Sequence, residues 1–378
     1  MNRKSYLVYY DHYILFIFFF LILIGLYMQL NISSIRTDMS FFYRQFVWFL
    51  LSGIFLWIGF KLINLEKLRR YNILFILGTL TLLILVLLIG DTVKGATRSI
   101  SILGINFQPT LIARLILLIY CAHILDKKKD YIENSHPKQF LTNFFPIIFI
   151  AALFYILILI QKHFTPLIIS VLTIISLLYL VRIKLTSILT LFFIALVFIT
   201  LVIQFGPQYR SERMDIYAQY SLPYRILGTA SEYEGEKDYQ VRESLIALSS
   251  GKMFGTSPAR GIGKHYFLPE AKTDYIFAII GEEFGFLGAL LIIFLFCFLF
   301  FRTIISSSKQ SSLFYKLTGY GLGMNIFFNA MINIGVAISV LPSTGVTLPF
   351  ISYGGTSLLI NSFSIGLLLN VTAERRTI

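Results

Sequence analysis

Ten apolar runs, at about 13–30, 45–63, 73–90, 109–125, 144–160, 166–181, 186–205, 275–301, 317–340 and 356–371, leave this chain little choice of fold. A helix needs about 20 apolar residues to cross a bilayer, so most runs are long enough and those of 16 or 17 sit at the lower limit. With 57% hydrophobic residues, 13% charged and 37 Phe, a soluble globule is excluded. The first run follows Arg3 and Lys4 and lacks a small-residue cleavage site, so it reads as a retained span and not as a signal peptide. The expected class is all-α: a polytopic membrane protein of about ten helices, residues 1–378 forming one membrane domain.

Where the charge falls decides what the net charge of +13 means. An even number of spans puts both termini on one side. With the N-terminus inside, the inner segments gather Arg3 and Lys4, the basic cluster from Lys61 to Arg70, Lys127, Lys128, Lys129 and Lys138, Arg182 and Lys184, Arg302, Lys309 and Lys316, and Arg375 and Arg376. The short outer loops hold only Arg36, Lys94, Arg98 and Lys162. That asymmetry predicts cytoplasmic termini in the inner membrane and calls for no nucleic acid. Cys121 and Cys297 lie inside apolar runs, which implies neither a disulfide framework nor a metal site.

Two irregular segments break the pattern on the outer face. Residues 206–273, between spans seven and eight, form a large extracytoplasmic loop whose first half (SEYEGEKDYQ) is highly polar. Its second half (ESLIALSSGKMFGTSPARGIGKHYFLPE) is apolar enough to fold back on the membrane. The other, VLPSTGVTLPFISYGGTS at 340–357, holds two prolines and three glycines between spans nine and ten. Irregular backbone at membrane depth survives only buried in protein or lining a wet cavity. Four carboxylates, Glu270, Asp274, Glu282 and Glu283, run into the eighth span beside these segments. An acid at a membrane boundary is costly unless it is paired, hydrated or used. The convergence predicts a site at the outer leaflet.

Three blocks carry a resemblance to a known family: LPSTGVTLPFISYGGTSLL, then ESLIALSSGKMFG with FLPEAKTDYIFAIIGEEFGFLG, and, more weakly, GATRSISILGINFQP. The chain resembles the SEDS cell-wall polymerases, whose members include FtsW, RodA and SpoVE, and TLPFISYGG is worded more like FtsW than RodA. The resemblance spans the whole chain and is strongest after residue 240. It implies a glycosyltransferase that polymerises lipid II, the undecaprenyl-pyrophosphate-linked disaccharide pentapeptide, into glycan strands for cell division. The partner implied is a class B penicillin-binding protein, a transpeptidase, alongside other divisome or elongasome membrane proteins. The family's catalytic aspartate, in P-E-x-x-T-D, falls on Asp274.

The chemistry agrees with that assignment. Strand growth needs a base for the acceptor hydroxyl while a lipid pyrophosphate leaves, and a carboxylate whose pKa is raised by desolvation can serve. Asp274 stands at the mouth of a span, where the alternative reading is a hydrated helix-terminal acid; Glu270, four residues earlier, could face the same way and raise its pKa further. The pyrophosphate wants cations and backbone donors, for which Arg98, Arg114 and Lys264 are candidates. The Ser352, Tyr353, Gly354, Gly355 segment could present N–H groups, or else form a tight turn packed between helices. No metal motif is present, though a divalent cation at the pyrophosphate is compatible with the chemistry. Glu282 and Glu283 lie about 80° and 180° around an ideal helix from Asp274, so they cannot both share its face.

The chain departs from the family pattern at Gln108–Arg114, where the usual glutamate is Leu111 and the usual lysine is Arg114, at Ser99 in place of a tryptophan, and at His163 in place of an acid. These losses suggest that Arg114 pairs with Glu282 or Glu283. Other readings are a RodA-like elongation polymerase, a lipid II flippase or transporter, for which no inverted repeat is visible, and a non-catalytic scaffold for a transpeptidase.

Overall fold

In the computed structural model each of the ten apolar runs is a helix. It describes residues 6–377 apart from 36–38, 94–95, 103–104, 130, 132–136, 182, 205–208, 222–225, 227–237, 258–260, 262, 264–267 and 269. The helices are α1 (His12–Ile35), α2 (Ser40–Trp57), α3 (Leu65–Arg70), α4 (Asn72–Ile89), α5 (Pro109–Lys127), α6 (Pro137–Ile160) and α7 (Phe164–Leu180). After these come α8 (Leu185–Gln204), α9 (Tyr209–Tyr220), α10 (Tyr239–Ser250), α11 (Ile276–Ser308), α12 (Leu313–Ala337) and α13 (Gly355–Thr372). Among the described residues, seven helices are long and apolar enough to cross a membrane, and α7 is a shorter apolar helix. The protein is a multi-pass membrane protein.

Helix α12 forms the centre, packed against α5, α7, α11 and α13. It carries Asn325, Asn329 and Asn333 at intervals of four, all buried, so its polar stripe faces protein and not lipid. Helix α2 runs on into a π-helical turn, Ile58–Leu62, packed on α13. Asn370 of α13 answers that irregularity by donating to the carbonyls of Gly59 (3.2 Å) and Ile63 (2.7 Å).

Both chain ends meet. Strand β1 (Tyr6–Tyr9) pairs antiparallel with β5 (Glu374–Thr377), Tyr6 opposite Thr377 and Tyr9 opposite Glu374. The pairing places both strands at one end of the bundle. Arg302 and Ser306 of α11 also bind Asp11 at this end, the Arg302 Nε at 2.7 Å. At the opposite end, β2 (Asp91–Val93), β3 (Ala96–Ile102) and β4 (Ile105–Phe107) form an antiparallel meander between α4 and α5, where only a loop was expected.

The eighth run departs most from expectation. It is not one continuous helix: α11 breaks at Gly285, whose φ of 67° and ψ of −165° are non-helical. The turn after α10 plugs the break. Thr256 N donates to Glu282 O (2.9 Å), while Phe286 N and Leu287 N donate to Lys252 O (2.8 Å) and Met253 O (3.3 Å). Backbone groups freed inside a membrane helix are thus satisfied by another piece of protein. In the second half of the large loop α10 packs against α11 and α12; residues 231–237 of its first half lie outside the described residues.

Candidate active site

At the end away from the termini, the bundle opens into a cavity of about 760 Å³. Its walls come from α2, the β2–β4 meander, α5, the α6–α7 turn, α9, the turn before α11 and the α12–α13 connection. The aromatic wall is Phe41 and Trp48 of α2 with Tyr353.

The turn before α11 places the acids. The Glu270 carbonyl accepts from Thr273 N (3.0 Å), Asp274 N (3.1 Å) and Tyr275 N (3.3 Å), winding the chain into the helix. Glu270 pays with a left-handed φ of 56°, unusual for a residue with a Cβ. Its carboxylate Oε2 accepts from Thr273 Oγ1 at 2.9 Å. Asp274 is half-buried on the cavity wall, one residue short of the N-cap Tyr275.

The α12–α13 connection is stitched to this turn. Tyr353 N donates to Lys272 O (2.8 Å), Ser352 Oγ to Thr273 O (2.6 Å), and Asn333 Nδ2 to both Asp274 O (2.8 Å) and Val346 O (2.6 Å). Lys272 Nζ lies 3.4 Å from the centre of the Phe41 ring and 5.5 Å from that of Tyr353. Gly345, at φ 72°, leaves an opening on which two charged tips converge. A Cβ there would stand 3.5 Å from Asp274 Oδ2 and 3.6 Å from Arg98 Nη1. The acid and the arginine therefore face the same small volume.

Of the residues singled out in the sequence, Arg98, Arg114, Glu270, Asp274, Tyr353, Gly354 and Gly355 all line the cavity. Ser352 does not; it is buried behind the wall, where its hydroxyl also accepts from Leu348 N at 2.8 Å. A Cβ on Gly355 would lie 2.3 Å from the Trp48 indole, so this glycine allows an aromatic ring to close over the backbone. That favours the packed-turn reading for this position. Lys264 lies outside the described residues. The wall also holds Arg44, Lys162 and Arg213, which hydropathy did not distinguish from ordinary boundary charges.

The expected pairing of Arg114 with Glu282 or Glu283 is not found. Glu282 accepts from Gly263 N at 3.1 Å and Glu283 from the Asn31 amide, both on the α1 and α10 side of α11. Arg114 faces the other way, from α5 into the cavity, and has no ion pair among the described residues. His163 is buried with its Nδ1 3.2 Å from Thr110 Oγ1. Burial first, then Arg98 and Arg114, hold its pKa well below the usual imidazole range, so it is neutral at physiological pH. Five basic side chains thus face two carboxylates across the wall, an arrangement suited to a ligand with several negative charges. No group of three or more His, Cys, Asp or Glu side chains that could hold a metal occurs among the described residues.

The fold is thus that of a multi-pass helical membrane protein with a cavity at one end that sets two acids against clustered cations. Residues 8–377 match the FtsW/RodA/SpoVE family, described as "Cell cycle protein", and the chain belongs to that family. Among its relatives, "Probable peptidoglycan glycosyltransferase FtsW" of Buchnera aphidicola subsp. Baizongia pistaciae is 32% identical, covering 100% of this chain and 97% of that protein. The protein of the same name from Escherichia coli O6:H1 is 33% identical, covering 98% and 87%. In fold, the chain is similar to one from a peptidoglycan synthase complex that coordinates polymerization and crosslinking, with TM-score 0.75, 24% identity and coverage of 96% and 97%. The rod shape determining protein RodA of Thermus thermophilus superposes with TM-score 0.66 at 21% identity, covering 96% of each chain.

Proposed function

We propose that this chain is a peptidoglycan glycosyltransferase of the FtsW type, polymerising lipid II at the outer face of the cytoplasmic membrane during cell division. The observation that carries the reading is the convergence of Asp274 and Arg98 on one point of a cavity large enough for sugar and diphosphate groups. Asp274 is the base. Its carboxylate takes the proton of the acceptor sugar hydroxyl as that oxygen bonds to the donor's anomeric carbon, and the bond from that carbon to the lipid diphosphate breaks. Arg98 and Arg114, joined by Arg44 and Lys162, hold the diphosphate and stabilise its growing charge as it leaves. Tyr353 and the aromatic wall position the substrate, and Glu270 keeps the turn in shape.

A divalent cation fits this wall only through Glu270 and Asp274, a sparse oxygen donor set that suits an ion shared with the diphosphate's own oxygens. Bound there, it would neutralise charge on the leaving group. Meeting of the two termini on one face, and the basic residues clustered at that end, support cytoplasmic termini and an outer-leaflet cavity. The partner is a class B transpeptidase, in keeping with the complex to which the fold is similar. Purified chain given lipid II and its cognate transpeptidase should yield glycan strands resolved on a gel. Absence of strands with an active partner would contradict the reading.

A further inference from the structure

Five basic side chains face the cavity, and the reaction proposed above uses four of them. The fifth, Arg213, reaches the site from a different part of the fold. Arg98 on β3 and Arg114 on α5 stand on elements that pack together, and both act on the buried imidazole of His163. Arg213 stands on α9, in the large loop, which packs against α8 and α10. Its charge acts, with that of Asp274, on the Tyr275 hydroxyl.

The Arg213 side chain is exposed on the cavity wall and set in place by its own helix. Its Nη1 donates to Ser343 O (2.9 Å), two residues before Gly345, the point on which Asp274 and Arg98 converge. One turn further along α9, Tyr217 OH donates to Val340 O (3.0 Å), so one face of the helix is tied to the α12–α13 connection. A guanidinium presents five donors in a rigid fork and can hold a backbone carbonyl and an anionic oxygen at once.

Strand growth joins two substrates of like charge. The attacking oxygen and the leaving diphosphate must lie on opposite sides of the anomeric carbon. With Arg98 and Arg114 on the leaving diphosphate, the acceptor sugar enters on the Asp274 side. It brings a diphosphate and peptide carboxylates of its own, whose repulsion from the donor needs a separate cation. We propose that Arg213 binds the acceptor, its guanidinium holding an anionic group, diphosphate or peptide carboxylate, while Asp274 takes the hydroxyl proton. The inference rests on the glycosyltransferase reading above and makes α9 part of an acceptor subsite.

The test separates the two substrates, using the purified full chain with its transpeptidase. Lipid II capped at its acceptor hydroxyl serves only as donor. Uncapped lipid II then serves as acceptor, and the initial rate of capped product is read as each is varied. Arg213→Gln should raise the acceptor KM about tenfold, the effect of losing one hydrogen bond to a charged group, and leave the donor KM unchanged. Arg213→Lys keeps the charge without the fork and should fall between, which keeps the test open if the glutamine variant folds poorly. Tyr217→Phe removes the other tie of α9 and should leave the acceptor KM as it was. With an acceptor whose peptide carboxylates are amidated, a persisting effect of Arg213→Gln assigns the diphosphate, and a vanished one assigns a carboxylate. An unchanged acceptor KM in both Arg213 variants would overturn the proposal. So would an equal rise in Tyr217→Phe, which would reduce Arg213 to a support for the loop. Failure of the unsubstituted chain to form strands would instead contradict the glycosyltransferase reading, and this inference with it.

Discussion

Asn333 holds Asp274 from behind: its side-chain amide donates to the Asp274 carbonyl at 2.8 Å and, with the same nitrogen, to Val346 O at 2.6 Å. One buried side chain on the central helix thus fixes the acid-bearing turn and the α12–α13 connection relative to each other. Asn333→Leu leaves two carbonyls unpaired and should cost about 1–3 kcal/mol of stability. Misplacing the base by about an ångström should lower kcat on the order of 100-fold. A purely structural role would lower the amount of active protein and leave its turnover intact, so turnover per folded molecule decides the matter.

The plugged break in α11 predicts a sharp contrast among glycines. A Cβ on Gly255 would lie 2.0 Å from Glu283 O, and its φ of 85° disfavours any side chain. Gly255→Ala should destabilise the protein by about 1–3 kcal/mol, visible as a lower melting temperature and reduced yield. Gly53 and Gly78 have nothing within 4 Å of the added carbon. Alanine at either, within a helix, should be neutral or should stabilise by roughly 0.5–1 kcal/mol.

Acid should weaken the fold through His163. Its pKa is depressed in the folded state, so below the unfolded value of about 6.5 the unfolded chain binds a proton that the native one does not. Stability is therefore fully present above that value and falls as pH drops toward the folded pKa, by at most about 1.4 kcal/mol per pH unit. His163→Gln should flatten this limb of the melting profile between pH 6.5 and about 3. An unchanged limb would mean that other groups carry the acid dependence.

Apolar length made all ten helices legible, because a backbone in lipid must close its own hydrogen bonds. The acid-bearing turn and the signature connection were legible too, as polar, glycine-rich interruptions at the ends of such runs. What stayed hidden is non-local. In the eighth run Gly285 looks like any other glycine, and only the turn at 251–257 makes its break affordable. Facing was equally obscure, since lipid-facing and protein-facing surfaces are both apolar. Nothing local told that Glu282 and Glu283 turn away from Arg114, or that Arg44 and Lys162 turn into the cavity. Ser352, read as a wall residue, proved to be a peg behind the wall because its hydroxyl bridges two backbone segments.

The account stands most directly on Asp274. Asp274→Asn preserves shape and removes the basic oxygen, so the backbone contacts to Glu270 and Asn333 should persist and the melting temperature should change little. The measurement is lipid II polymerisation by the purified variant with its transpeptidase. A loss of at least about 100-fold in strand formation, within the range ascribed to general base catalysis, is the predicted result. Strand formation at near the unsubstituted rate would contradict Asp274 as the base.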